Sequence, residues 1–357
     1  MALEVRGSMD GSEPANVLEV MRQQWASMVS MGGMFVGTIL LGLSIQPIYN
    51  VDEVRAFGAE GASKGGYVAL ELLFIMIFTV LIIWLARRGL DIAIKAIVMF
   101  ALWFSLFYAV QPYSALLWWL IGIGSVNLVV GSTVVISTAL MLLLHLYTEW
   151  YVVNTVGVLV GAGVITLIGV SFVPVLIIAF MLAAAVYDHW AVNSSKHMLE
   201  LADTMIKNKL PVLLVAPKEK GYSFIEEDDQ VMRGEDMDWD DPAPHIKPES
   251  GGRDALFMGL GDVIFPGMLV ISSVSFLPEW GPELPTIFGT MYAGPLAVGL
   301  GTLFGGLCGY VALMTQVARG EAQAGLPLLN GGSILGYLIS GVIAVGPAAL
   351  WQDISFL

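Results

Sequence analysis

Cysteine is almost absent. The one thiol in 357 residues, Cys308, lies in an apolar, glycine-rich stretch, which excludes an internal disulfide framework and any multi-thiolate metal site. Charge is scarce as well. Asp, Glu, Lys and Arg make up 13% of the chain, against about 25% in an ordinary soluble domain, while 57% of residues are hydrophobic and the mean hydropathy is +0.77. Those values describe a polytopic membrane protein. Basic residues number only 16 against 30 acidic ones and form no stripe, so nucleic-acid binding has nothing to rest on. The four histidines (His145, His189, His197 and His245) show no ligand spacing, and no metal or cofactor is expected. A secretory signal is lacking too: the first sixteen residues are polar, and MALEVRGS resembles an expression leader ahead of a native start at Met9.

What the chain has in abundance is long apolar runs. About 20 residues of helix cross a ~30 Å hydrocarbon core, and runs of that order occur at 25–45, 67–86, 92–113, 127–147, 151–171, 173–192, 255–275, 286–316 and 332–351. Nine spans with a cytoplasmic amino terminus put Arg22, Arg87, Arg88, Lys95 and Arg319 inside, leaving only Arg55 and Lys64 outside. That asymmetry is the positive-inside pattern. Adding a span would reverse it for the long loop.

That loop, 193–253, is the one sizeable segment between spans. It opens with residues at helical spacing (Met198, Leu201, Ala202, Met205, Ile206), which predicts an amphipathic helix at the membrane interface. The run LPVLLVAP, bounded by prolines, predicts a short strand. An acidic tract follows: nine of the 30 acids fall within 226–241, opposed only by Arg233, and read as a solvated, disordered stretch. The expected fold is all-α and polytopic, with nine transmembrane helices and that strand and interfacial helix between spans six and seven. The expected layout is a polar cytoplasmic amino terminus over 1–24, spans one to six over 25–192, the cytoplasmic loop over 193–253, and spans seven to nine over 254–357, ending outside.

Two lone aspartates interrupt the apolar spans. Asp188 lies near the cytoplasmic end of the sixth, and Asp262 about two turns past the start of the seventh near Arg253 and Asp254. A carboxylate at bilayer depth costs roughly 2.5–3.5 kcal/mol even on the insertion scale, and such residues mark functional sites. The two spans run in opposite directions, so similar offsets place both acids at comparable depth. Two carboxylates that meet there share one proton, and one can act as base toward water while the other protonates a carbonyl or leaving group. Blander readings exist: Asp188 as a helix-end acid reaching for water, Glu71 as an interfacial structural acid, Tyr187 as a packing residue. The glycines of GLGTLFGGLCGY are read as helix-packing positions.

Tyr187-Asp188 in the sixth span, Gly259-Leu260-Gly261-Asp262 in the seventh, and Leu326-Pro327-Leu328-Leu329 just before the ninth resemble the motifs of the presenilin and signal peptide peptidase intramembrane aspartyl proteases. The chain is most similar to the short archaeal presenilin homologues. The resemblance implies that Asp188 and Asp262 are the catalytic pair. It also implies that Tyr187, Gly259, Leu260, Gly261, Leu326, Pro327, Leu328 and Leu329 line the site. Substrates would be transmembrane peptides within the lipid bilayer, homo-oligomerisation being left open. The LPVLLV strand would accept an added strand from an unwound substrate. One departure is that the family's Pro-Ala-Leu reads Pro327-Leu328-Leu329 here, a bulkier middle residue that could narrow the site. Pro347-Ala348-Ala349-Leu350 looks closer to the motif but falls at the far end of the ninth span. A proton-coupled transporter with the two aspartates as a relay is the alternative from another class; no matching motif occurs in the first five spans to suggest the paired repeats of a transporter. A prepilin-type peptidase would place its first aspartate much earlier.

Overall fold

The computed structural model describes residues 17–56, 66, 73–74, 77–78, 81, 84–85, 88–190, 213–218, 221–223, 255–318 and 325–352. Most of the 67–86 run with Glu71, the interfacial helix expected from Lys196 and the acidic tract at 226–241 lie outside these residues. In chain order the elements are α1 (Val17–Gln23), α2 (Trp25–Tyr49), α3 (Asp91–Leu120), α4 (Val126–Leu146), α5 (Trp150–Gly169) and α6 (Pro174–Trp190). Then come β1 (Leu213–Pro217), β2 (Ala255–Gly259), α7 (Leu260–Phe276), β3 (Glu283–Thr286), β4 (Gly289–Tyr292), α8 (Ala293–Val317), α9 (Leu326–Ala344) and a 3-10 turn at Pro347–Leu350. Six of the described helices, namely α2, α3, α4, α5, α8 and α9, are long and apolar enough to cross a membrane, and α6 and α7 are shorter apolar helices. The protein is mostly helical.

Lipid tails are as apolar as leucine, so helices in a bilayer are drawn together by close contact more than by expulsion of water. Small residues provide that contact here. On α5, Gly161 receives Thr38 of α2 and Leu260 of α7, Gly163 lies against Ser105 of α3, and Gly169 against Ile271 of α7. Hydroxyls reinforce the same seams: Ser105 Oγ donates to the Val160 carbonyl (2.8 Å) and Thr166 Oγ1 to that of Gly42 (3.1 Å). This makes α5 the hub around which α2, α3 and α7 are arranged. A second seam joins α8 to α9. Gly301, Gly305 and Gly309 of α8 interleave with Gly332, Gly336 and Ser340 of α9 so closely that backbone rests on backbone. In this way the glycine-rich run of the eighth span is used for packing.

Four boundaries differ from those drawn on hydropathy. The third helix continues through Pro112 to Leu120. The seventh run starts as a strand: 255–259 is β2, paired antiparallel with β1, and helix begins only at Leu260. A short apolar run reads equally as buried strand or buried helix, and only the pairing partner decides. The eighth run loses its first residues to the β3–β4 hairpin, which hydropathy did not anticipate. The ninth starts six residues early, at Leu326, so the segment 326–329 is the first turn of α9 and not a loop before it. Pro327 sits in that first turn, where its missing N–H and fixed φ suit a helix start.

The α8–α9 seam generates a direct test. Forcing extra carbons into a filled contact costs on the order of 1–3 kcal/mol. Gly305→Val places its side chain against the Gly332 carbonyl and should lower the melting temperature and folded yield in detergent, whereas Gly131→Val on α4, with nothing within 4 Å of its Cβ, should change neither. Equal melting temperatures for the two variants would contradict the seam.

Candidate active site

Three chain segments converge on one place: the last turns of α6, the first turn of α7 and the first turn of α9. Asp188 on α6 is buried, at 4% relative exposure. Its partner is a backbone group. A helix leaves its first N–H groups without intrahelical acceptors, and that of Leu326, at the start of α9, donates to Asp188 Oδ2 at 3.2 Å. Asp262 is half-buried, in the first turn of α7, not two turns along as the hydropathy run suggested. The cause is again β2: five of the expected helical residues are spent as strand. The Asp262 carboxylate turns back on the backbone of Gly259, the N-cap of its own helix, and feels the charge of Asp188.

Gly325 completes the arrangement. A Cβ built on it would stand 3.0 Å from Asp262 Oδ2 and 3.3 Å from its Cγ. One peptide unit, Gly325–Leu326, therefore touches both acids, with its N–H on Asp188 and its α-carbon against Asp262. The sequence motif begins at Leu326, and Gly325 just before it was given no role. Its only signal was a small residue preceding a Leu-Pro pair, which is common.

The remaining residues expected to line the site divide into groups. Among the described residues, only the Asp262 carboxylate lies near the Cβ position of Gly259 and nothing lies within 4 Å of that of Gly261, which is exposed, so neither glycine presents a side chain beside Asp262. Leu260, by contrast, is buried at 5% and packs against Gly161 of α5, anchoring the start of α7. Tyr187 is 63% exposed and projects outward from α6 beside Val186. Leu326 and Leu329 are buried; Pro327 and Leu328 are half-buried, with the Leu328 carbonyl against Gly309 of α8. Leu328 thus packs with the core, which is how the bulkier middle residue of Pro327-Leu328-Leu329 is accommodated. Pro347, in the similar-looking Pro-Ala-Ala-Leu, is exposed at the opposite end of α9.

The frame beneath the aspartates is tied across all three helices. Asn330 Nδ2 donates to the Met181 carbonyl at 3.0 Å, joining α9 to α6. The rings of Phe180 and Phe265 meet tilted at 48° with a 5.4 Å centroid separation, joining α6 to α7. In the β1–β2 pair, the edge of β1 facing away from β2 is occupied at two residues: Asn154 bonds both backbone groups of Val215, and Ser27 Oγ donates to the Pro217 carbonyl. A substrate strand would have to displace Asn154 to pair at Val215, while 210–212 of the LPVLLV run lie outside the described residues.

Known proteins resemble this chain in sequence and fold. A family model described as signal peptide peptidase, presenilin aspartyl protease matches residues 27–346. Two solved structures of a presenilin family intramembrane aspartate protease resemble the chain. The one in space group C222 is 26% identical with a TM-score of 0.55, over 90% of this chain and 99% of its own. The one in P2 is 29% identical with a TM-score of 0.51, over 86% and 97%. No curated protein matches the chain significantly. The family model spans most of the sequence, and the solved structures share the fold over 86–90% of the chain. The chain belongs to the signal peptide peptidase and presenilin family, and is an integral, multi-pass intramembrane aspartyl protease.

Proposed function

We propose that Asp188 and Asp262 are the catalytic pair and that they hydrolyse peptide bonds within transmembrane helices of membrane-protein substrates. The observation that supports this most directly is the Gly325–Leu326 peptide lying against both carboxylates, since it holds two acids in one place. Two like charges so placed keep one proton between them. The ionised member takes a proton from water as the water oxygen bonds to the scissile carbonyl carbon. The protonated member gives its proton to the carbonyl oxygen. Collapse of that tetrahedral species returns the oxygen's proton to a carboxylate and delivers the other to the leaving nitrogen, breaking the C–N bond and restoring the pair. Metal and cofactor have no part in this scheme.

The access route fits the chemistry. Gly261 offers exposed backbone beside Asp262, where an unwound substrate segment can approach without side-chain obstruction. Helical substrate must open locally, because a helix hides its amides inside its own hydrogen bonds. The topology assigned to the chain has nine crossings, with the amino terminus and the 193–253 segment in the cytoplasm and the carboxyl terminus outside. Its support is the placement of lysine and arginine.

Three measurements test the reading. Asp188→Asn and Asp262→Asn keep shape and remove the titratable group, so each should abolish cleavage of a transmembrane peptide in detergent while the protein stays folded; near wild-type turnover in either would sink the pair. Wild-type activity should follow a bell-shaped pH profile, because only the singly protonated pair is competent; a rate that climbs steadily toward high pH would argue for another nucleophile. Displacement by about 1 Å can cost on the order of 100-fold in rate. Gly325→Ala, which presses a methyl on the Asp262 carboxylate, and Pro327→Ala, in the same turn, should therefore each lower kcat by roughly tenfold, with melting temperatures little changed. Pro347→Ala should stay within about twofold of wild type; the reverse ranking would remove the amino end of α9 from the site.

A further inference from the structure

The strand pair that leads into Asp262 is gripped by a side chain imitating a strand. Asn154 sits on α5, buried at 7%. Its Nδ2 donates to the Val215 carbonyl at 2.7 Å, and its Oδ1 accepts from the Val215 N–H at 2.8 Å. A residue facing Val215 on a neighbouring antiparallel strand would make the same two bonds with its own N–H and C=O. Since both groups of Val215 face Asn154, they face away from β2, and every second residue along β1 presents the same edge. The next is Pro217, which has no N–H to satisfy, and its carbonyl accepts from Ser27 of α2 at 2.6 Å. From Val215 to Pro217 the edge is thus completely accounted for, in a strand whose residues Leu214, Val215 and Ala216 are wholly buried. Across the ladder, Val215 opposes Phe257 and Leu213 opposes Gly259. Gly259 is at once the last rung of β2 and the N-cap of α7, three residues before Asp262.

We propose that Asn154 is a positioning residue for Asp262: its carboxamide stands in for a third strand on β1, fixes the register of the β1–β2 pair that leads into Asp262, and keeps extended chains off that edge. The assignment rests on the reading of Asp188 and Asp262 as the catalytic pair. Asn154 itself touches neither substrate nor carboxylate. Its influence passes through Val215, the ladder and Gly259. Loss of the grip should therefore change turnover and the choice of scissile bond more than it changes substrate affinity.

The test uses full-length protein in one detergent and one transmembrane peptide, reading kcat, KM and the cleaved bond by mass spectrometry. Asn154→Leu keeps similar bulk and removes both hydrogen bonds. It should lower kcat by about tenfold or more, leave KM within about twofold, and spread cleavage onto adjacent bonds, as a slip of part of an ångström would. Asn154→Asp supplies the independent check. A protonated carboxyl offers the same donor and acceptor as a carboxamide, while an ionised one offers acceptors only. The ratio of this variant's kcat to wild type at the same pH should therefore rise as pH falls, with the proper bond restored. Taking the ratio removes the pair's own titration. Should folded Asn154→Leu cleave the normal bond with kcat within twofold of wild type, the assignment is overturned. If that variant does not fold, a flat ratio for Asn154→Asp overturns it and an acid-restored one upholds it. Asp188→Asn and Asp262→Asn run alongside: activity in either removes the catalytic reading itself, whereas two dead aspartate variants beside normal Asn154 variants remove only the assignment made here.

Discussion

Everything in this molecule depends on bringing the first turn of α9 between two other helices. Ionisable groups at bilayer depth are expensive and are retained where they pair with one another or with backbone. Here a single peptide unit, Gly325–Leu326, lies against both acids. How far α9 reaches is set elsewhere, by the glycines of α8. Gly305 and Gly309 leave room for the α9 backbone itself, and any side chain at those positions would push the helix, and its first turn, away. A packing seam on one side of the bundle therefore fixes a chemical distance on the other.

The second requirement concerns backbone that is not helical. Strands within a membrane protein must satisfy their amides internally, or face protein or a wet cavity. The β1–β2 pair meets this with its own ladder on one side and with Asn154 and Ser27 on the other. Both side chains come from helices of the α5 hub and its neighbour α2, so the strands are tied to the most buried part of the bundle. Ser272 makes a comparable tie, donating to the Phe172 carbonyl and fixing α7 to the start of α6. Polar ties of this kind reach the segments that bear Asp188 and Asp262 from both sides, Asn330 binding α9 to the Met181 carbonyl of α6 and Asn154 gripping the strand beside β2.

Much of this was legible in the sequence because membranes simplify the problem. Length and hydropathy located α2, α4, α5 and α6 to within a few residues, and the two isolated acids named themselves by the cost of burying them. Glycine periodicity correctly marked helix packing. What could not be read were the places where hydropathy is silent about conformation. Residues 255–259 are as apolar as a helix would be and become β2 only because β1 is alongside. Residues 286–292 became hairpin for the same reason, through β3. Pro327 was placed ahead of the ninth span, yet a proline suits the first turn of a helix, and that is where it lies. Asn154 was invisible: one polar residue in a span gives no hint that its partner lies 61 residues away on a strand. Gly325 escaped for a subtler reason. Its value lies in the absence of a side chain at one contact, and composition does not reveal contacts.

The junction of β2 and α7 has a mechanical consequence. Gly259 belongs to both elements, so no loop separates the ladder from the helix that bears Asp262. A loop would act as a spring and absorb displacement; here the coupling is stiff. Any chain that tugs on β2, tilts it or adds to its sheet moves the Asp262 carboxylate by a similar amount. Strand and carboxylate are one rigid part. Substitutions between Ala255 and Asp262 should therefore rarely alter how tightly something is held without also altering how fast, or where, it is cut.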